Sequence, residues 1–363
     1  MPKKKPDKVK HKIIASISAQ EDNLGDIEIR KILLSWFAET GAEIHCYRGG
    51  MSDSYVRAFE LDGRVTWHNS LIALQMHLLG GMMPGSASHF VLAPGPQMLQ
   101  NSPKSTTKSA LNLINATLCS AFGGGAYSIG RAFRGGGFSA LPTRLAVRQC
   151  KVSTVRDELS NHHLDYNSTT APDLAFYPER WTTGPKSKVA ICVRSSLDFD
   201  IDMYANLCKA IRLNGLEPVV VVQVKRDQNL GARIADLASC EIVSWTNEPH
   251  LSQLHRVYDC YSNCAAVVSN RLHGLILGAR SGAVPLRLMD RTDSKLAPTL
   301  TTAIGETAAI YATDLNEQPP LLISQLLDPA ELDRQRCILF ESIQSSRVRL
   351  TKVKTPLIGR IRK

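Results

Sequence analysis

One stretch constrains this chain more than any other: Ala265-Ala-Val-Val-Ser-Asn-Arg-Leu-His-Gly-Leu-Ile-Leu-Gly-Ala-Arg-Ser-Gly-Ala-Val-Pro-Leu-Arg-Leu-Met289. Ala265 to Val268 is a short apolar run that reads as a strand. Ser269 and Asn270 are turn and cap residues, so a helix is expected from about Arg271. Leu272, Leu275, Ile276 and Ala279 recur at helical spacing, Gly282 closes the helix, and Val284 to Met289 form the next strand. In such a strand–helix–strand unit the carboxyl end of the strand and the first helical turn face a ligand crevice. Arg271 and His273 fall at that point. The unpaired amides of a helix start favour an anion, and arginine grips carboxylate or phosphate through a planar fork. An imidazole two residues on can give or take a proton near neutral pH. The plainer alternative is a surface arginine and a capping histidine.

The rest of the chain repeats this alternation. In the first half, strands are expected over 12–18, 42–47, 89–93, 125–129 and 152–155, and helices over 27–38, 69–79, 109–122 and 141–149, with a further helix opening at Arg156. Ala93-Pro-Gly-Pro96 reads as a rigid turn. Tyr177 to Lys188, rich in Pro, Gly and Lys, is the best linker candidate. In the second half, strands are expected at 189–193, 218–224, 242–245, 265–268, 284–289 and 309–313, and a long helix over 329–343. Alternation of this kind implies parallel sheets covered on both faces. The expected division is a basic tail over 1–11, a first Rossmann-like domain over 12–180, a second over 186–325, a helix over 328–346 packing back on the first domain, and a basic tail over 347–363.

Composition narrows the function classes. The chain has 363 residues, 44% of them apolar and 21% charged, enough for two domains with real cores. No window approaches the roughly 18–20 apolar residues that span a bilayer, and Ile13 to Ser18 is too short for a signal segment. Nine scattered cysteines, mostly in apolar runs, point to reduced thiols in the cytoplasm. Cys260 and Cys264 lack further zinc-type ligands around them and read as core. Neither a carboxylate cluster nor a ligand spacing calls for a metal, and His162-His163 reads as exposed, so no metal and no cofactor is expected. The net charge of +10 is concentrated at the ends, among Lys3, Lys4, Lys5, Lys8, Lys10 and Lys12 and again among Arg347, Arg349, Lys352, Lys354, Arg360, Arg362 and Lys363. Solvated tails are the default for such runs; contact with an anionic membrane surface is the partner they would fit. No zinc finger or aromatic–basic interleaving supports nucleic-acid binding. No dinucleotide fingerprint, P-loop or nucleophile elbow occurs. Gly123-Gly-Gly125 and Gly135-Gly-Gly137 read as flexible turns.

An ordered set of motifs resembles the polysaccharide pyruvyl transferase family. It comprises Asn23-Leu-Gly-Asp26, Ala93-Pro-Gly-Pro96, Tyr127-Ser-Ile-Gly130, Val155-Arg-Asp-Glu-Leu-Ser160, Ala171-Pro-Asp-Leu-Ala-Phe176, a strand ending at Arg194, Ser269-Asn-Arg-Leu-His273, and Gly282-Ala-Val-Pro285 ahead of Lys295. Arg131 departs from the pattern, where the family often has Pro, and so does the plain Pro-Gly-Pro. The resemblance implies an α/β fold of two Rossmann-like domains facing a cleft, glycosyltransferase-B-like, with parallel sheets. It also implies transfer of pyruvate from phosphoenolpyruvate onto a hydroxyl pair of a cell-surface glycan or a lipid-linked saccharide precursor, as a ketal, with phosphate released. Arg271 and Arg194 would clamp the donor's carboxylate and phosphate, and His273 would serve as acid or base, typically worth about 10²–10⁴-fold.

Three further residues have two readings each. Asp26 caps the first helix or touches the sugar. Arg156 pairs with Asp157 at a helix start or supports the acceptor. Asp173 caps a turn or supports the site. A two-domain glycosyltransferase using a nucleotide sugar is the alternative enzyme, since fold does not fix function. A non-catalytic protein held to a membrane or nucleic acid by its basic ends is the alternative outside catalysis. The expected location is the cytoplasm, at the inner membrane face if the tails bind there.

Overall fold

The computed structural model describes residues 9–194, 200–289, 296–312, 315 and 319–362. Lys3, Lys4, Lys5, Lys8, Lys295 and Lys363 therefore lie outside the described residues. The chain divides into two compact units, one of residues up to Glu21, Ile29–Leu174 and from Leu350 onward, the other of Asp22–Glu28 and Ala175–Arg349.

The first unit is built on strands β1 (Lys10–Ser16), β2 (Glu43–Tyr47), β3 (Val65–His68), β4 (Ser86–Leu92), β5 (Gly95–Leu99), β6 (Gly125–Gly135), β7 (Cys150–Val155) and β8 (Thr169–Thr170). The order is β3-β2-β1-β4-β6-β7-β8, with β5 also on β6, and every pairing is parallel. Helices α1 (Leu24–Ala38), α2 (Asp53–Arg57), α3 (Leu71–Gly80), α4 (Pro103–Ala121), α5 (Ala140–Arg148) and α6 (Glu158–Leu164) connect them. Ile29, Ile32, Leu33, Trp36 and Phe37 of α1 are buried, as their 3–4 spacing requires.

The second unit has strands β9 (Lys188–Cys192), β10 (Glu217–Val221), β11 (Glu241–Val243), β12 (Cys264–Ser269), β13 (Val284–Met289) and β14 (Ala309–Tyr311), ordered β11-β10-β9-β12-β13-β14 and all parallel. Helices α7 (Ile201–Leu213), α8 (Gln228–Ala238), α9 (His250–Ser262), α10 (Leu272–Arg280) and α11 (Ala297–Ile304) lie between them. Val189, Ile191, Val220, Val268, Leu286 and Ile310 form one core with Leu207 and Ile211 of α7. In this order the chain runs outward from β9 one way, then returns to build outward from β12 the other way. The carboxyl ends of β9 and β12 are thus the switch point where parallel sheets place ligands.

Several expectations change. The first helix begins at Leu24 rather than Ile27, because Asn23 already closes its start: its Oδ1 accepts from Gly25 N at 3.1 Å. Pro-Gly-Pro is not only a turn; Gly95 to Leu99 continues as β5. β6 runs through to Gly135 rather than stopping at Ile129. β1 starts at Lys10, so Lys10 belongs to the strand with Lys12 rather than to the tail expected over 1–11. The basic stretch after 346 is no tail either, since one helix spans Pro329–Ile361. Leu350, Val353, Leu357 and Ile361 are buried along it, a stripe at helical spacing that outweighs the charges between them. Those charges are engaged on the protein: Lys354 Nζ meets Glu39 Oε1 at 2.6 Å, and Arg347 Nη2 meets Glu179 Oε2 at 3.0 Å. No helix among the described residues is long and apolar enough to cross a membrane.

Candidate active site

At the switch point the register pairs Cys192 of β9 with Ser269 of β12, so Arg194 and Arg271 each stand two residues beyond a paired position. Ser269 and Asn270 make the turn between them. Ser269 Oγ accepts from Arg271 N at 2.9 Å, and Asn270 Oδ1 accepts from Arg194 N at 2.7 Å, tying the two strand ends together. Arg271 is the residue capping α10, with extended backbone at φ −108° and ψ 124°. Gly274 and Gly278 let α10 lie against the sheet: an added Cβ would stand 2.6 Å from Ser269 Oγ or 2.5 Å from Val267 Cγ1.

The Arg271 guanidinium turns to Asp227, which follows β10. Its Nε donates to Asp227 Oδ2 at 2.5 Å and its Nη2 meets the same oxygen. Asp227 is buried and Arg271 nearly so. This carboxylate takes one edge of the fork and leaves the Nη1 side for another acceptor. Two amide side chains lie close by: Asn270 precedes Arg271, and Gln223, after β10, has its Oε1 3.6 Å from Cys192 Sγ at the end of β9. Asn270 Nδ2 and Gln223 Nε2 are buried with no hydrogen-bond partner among the described residues. The strand ends thus offer donors around one arginine, an arrangement that suits an anion. Arg194 is exposed.

His273 lies in the first turn of α10, and the Asn23-Leu-Gly-Asp26 motif lies against it. A Cβ on Gly25 would stand 2.3 Å from both Cγ and Nδ1 of His273, so only glycine permits this approach. Leu24 N donates to Gln223 O at 3.3 Å, and Asn23 bridges Val224, which holds the motif on the end of β10. Asp22 grips Arg226 through both carboxylate oxygens, at 2.6 and 2.5 Å. Further along the same segment, Glu28 meets buried Arg280 of α10 at 2.9 Å and accepts from Tyr258 Oη at 2.5 Å. Asp26, buried in the first turn of α1, is not the cap; it sits one residue after Gly25.

Arg156 and Asp173 are brought together in the first unit. Arg156 Nη1 meets Asp173 Oδ2 at 3.1 Å, both buried. The expected Arg156–Asp157 pair does not form. Asp157 instead caps α6, accepting from Ser160 N at 2.9 Å, and takes Arg134 on both oxygens. The Arg156–Asp173 pair pins the Ala171-Pro-Asp-Leu-Ala-Phe176 segment to the end of β7. Its neighbour Leu174 fits against Gly130, whose φ of +65° needs glycine. Arg131 is buried, stacks over Phe133 at 4.8 Å and bonds Gln97; burial lowers it to about 10.

Asp227, Asn270, Gln223 and Gly25 were not assigned to the site from the sequence. Asp227 follows the valine-rich strand 218–224 beside the switch point, so the rule that flagged Arg271 applies to it as well.

The sequence profile of the polysaccharide pyruvyl transferase family matches residues 23–285. The chain belongs to that family. The match takes in the Asn23 motif, the switch-point arginines and His273. A search of curated protein sequences gave no match. Among solved structures, the chain is similar to UGT89C1 of Arabidopsis thaliana complexed with UDP-L-rhamnose, at 10% identity and TM-score 0.58, covering 98% of this chain and 100% of that one. It is also similar to a glycosyltransferase from Rickettsia africae ESF-5, at 11% identity and TM-score 0.54 over 97% and 98%. A third is S. aureus MnaA with UDP, at 10% and 0.51 over 91% of each chain. These likenesses establish for this pyruvyl transferase family member a fold of the glycosyltransferase-B type, with two parallel α/β units.

Proposed function

We propose that this chain moves pyruvate from phosphoenolpyruvate onto two hydroxyls of a saccharide, a cell-surface glycan or its precursor, forming a cyclic ketal and releasing phosphate. The observation that carries the reading is the junction of β12 and α10, where Arg271, anchored by Asp227, stands two residues from His273 at the switch point. Arg271 and Arg194, with Asn270 Nδ2 and the first amides of α10, suit a donor that carries both a carboxylate and a phosphate.

The chemistry balances without redox change. A proton added to the vinylic carbon makes a methyl group and leaves the carbon bearing phosphate electron-poor. The first sugar hydroxyl attacks that carbon and loses its proton. Phosphate departs with the electron pair of its C–O bond and is protonated, and the second hydroxyl closes the ring and loses its proton. His273 is the group assigned to move a proton, as donor to the methylene or acceptor from the hydroxyl. Cationic and amide donors stabilise the leaving phosphate. Asp26, next to Gly25, is the acceptor-side candidate; Arg156 and Asp173 support the fold of the first unit. The acceptor is a glycan or lipid-linked saccharide made at the cytoplasmic face of the membrane.

The test is a thermal-shift measurement with phosphoenolpyruvate, beside UDP-glucose, in wild type and Arg271→Ala. A ligand at 100 times its dissociation constant adds about 2.7 kcal/mol. The expected result is a shift with phosphoenolpyruvate that Arg271→Ala abolishes. A shift with UDP-glucose alone overturns the proposal in favour of glycosyl transfer.

A further inference from the structure

A cluster at the sheet edge of the first unit has no part in this chemistry. His45 of β2, His68 at the end of β3 and His77 of α3 converge, each with a ring nitrogen within 4.8 Å of the others. His45 Nδ1 lies 3.1 Å from His68 Nε2. The His68 and His77 ring centroids are 4.8 Å apart, and His45 stacks on His77 at 4.0 Å.

Two arrangements explain a 3.1 Å nitrogen pair. One nitrogen donates to the other, or both are bare toward a shared cation. Zinc–nitrogen bonds of about 2.0–2.1 Å at a tetrahedral angle place ligand nitrogens about 3.3 Å apart. The pair is already within a few tenths of an ångström of that spacing. Binding all three rings to one ion requires the half-buried His77 ring to turn out of its stack on His45.

The far side of His45 supplies an independent observation. Its Nε2 is buried and has no hydrogen-bond partner among the described residues, and Glu43 Oε2 waits 3.7 Å away. A carboxylate behind a ligating imidazole fixes the ring's tautomer and orientation and raises its basicity. Burial, then the neighbouring His77 and His68, lowers His45 to about 4; burial and His77 also lower His68. A cavity of about 530 Å³ lined by Glu43, His45, Arg64 and Thr66 adjoins His45.

We propose that His45, His68 and His77 bind one divalent transition-metal ion of the zinc class, with Glu43 orienting His45 and a fourth position open to water or ligand. Three imidazoles suit zinc, cobalt or nickel and not calcium or magnesium, which take oxygen ligands. The ion would tie α3 to the edge strand β3 and its neighbour β2. Nothing in the sequence announces this, because the three histidines are spread over three elements with no zinc-finger spacing.

The test uses the full chain without a histidine tag, treated with chelator, desalted, and titrated with Co²⁺ followed by Zn²⁺. The expected result is one Co²⁺ per chain with the visible absorption of a low-coordinate cobalt site, displaced by Zn²⁺. His68→Gln and His77→Gln should each weaken binding at least about 100-fold, and Glu43→Gln about 10–100-fold. His162→Gln should leave binding unchanged, and circular dichroism checks that each variant is folded. Folded wild type that takes up no Co²⁺, or binding that persists in both histidine variants, overturns the proposal. Either result leaves the donor chemistry untouched, because neither Co²⁺ uptake nor these variants depend on phosphoenolpyruvate.

Discussion

Replacing Gly25 with alanine is the sharpest perturbation available at this site. The new Cβ would lie 2.3 Å from Cγ and Nδ1 of His273 and 2.5 Å from its Cβ. Carbon atoms in ordinary contact sit about 3.5–4.0 Å apart. Roughly 1 Å or more of separation must therefore be created, by the imidazole or by the Asn23–Asp26 turn. Stability alone hardly registers this. Alanine gains about 1 kcal/mol over glycine in a helix, and overpacking costs about 1–3 kcal/mol, so the variant stays folded and loses at most about 2 kcal/mol. Catalysis is more sensitive, because a 1 Å displacement of a reacting group costs on the order of 10²-fold, or about 2.7 kcal/mol in the barrier. The assay is phosphate release from phosphoenolpyruvate with a saccharide acceptor, alongside thermal unfolding. Gly25→Ala should lower kcat about 100-fold with Tm changed by a few degrees. Gly50→Ala, where an added Cβ meets nothing within 4 Å, should match wild type in both. A folded Gly25→Ala enzyme with wild-type kcat would refute the placement of His273 in the chemistry.

Other consequences concern stability. Glu28→Ala leaves the fully buried Arg280 guanidinium without its carboxylate and should cost roughly 3–5 kcal/mol in urea unfolding; a loss under 1 kcal/mol contradicts the buried pair. Leu357→Ala, at a fully buried position in the last helix, should cost roughly 2–5 kcal/mol, whereas a solvated tail would show no change. Burial first, then neighbouring cations and imidazoles, holds His45 at about 4 and His89 at about 3. Unfolded histidines titrate near about 6.5, so as acid is added the unfolded chain takes up protons first. The stability these neutral rings allow is complete above about pH 6.5 and falls as pH drops toward 4 and then 3. A urea midpoint that is equal at pH 7 and pH 5 contradicts this.

The switch-point unit was legible because central parallel strands are buried on both faces and read as unbroken apolar runs, as 218–222 and 264–268 do. Arg271 and His273 could be placed at the switch point because they sit two and four residues beyond the end of the second of these strands. Their partners were not. Asp227 lies 44 residues from Arg271 in sequence, and Gly25 approaches His273 from the other end of the chain. Side-chain spacing along one element says nothing about such contacts. β3 is a four-residue edge strand, too short for a period to show. β5 was hidden by Pro96, which a strand tolerates where no amide is needed in the ladder. The stripe Leu350, Val353, Leu357 and Ile361 was masked by the cations interleaved with it. Once charge density is read before periodicity, a basic amphipathic helix and a basic tail look alike.

The central claim is that this protein makes a ketal from phosphoenolpyruvate, and its product records the proton step. With [2-¹³C]phosphoenolpyruvate and saccharide acceptors in D₂O, the account predicts one phosphate released per transfer and a labelled quaternary ketal carbon. The attached methyl group should carry a single deuterium from solvent. Transfer of a glycosyl unit from UDP-glucose to the same acceptors, with phosphoenolpyruvate unconsumed, would contradict it.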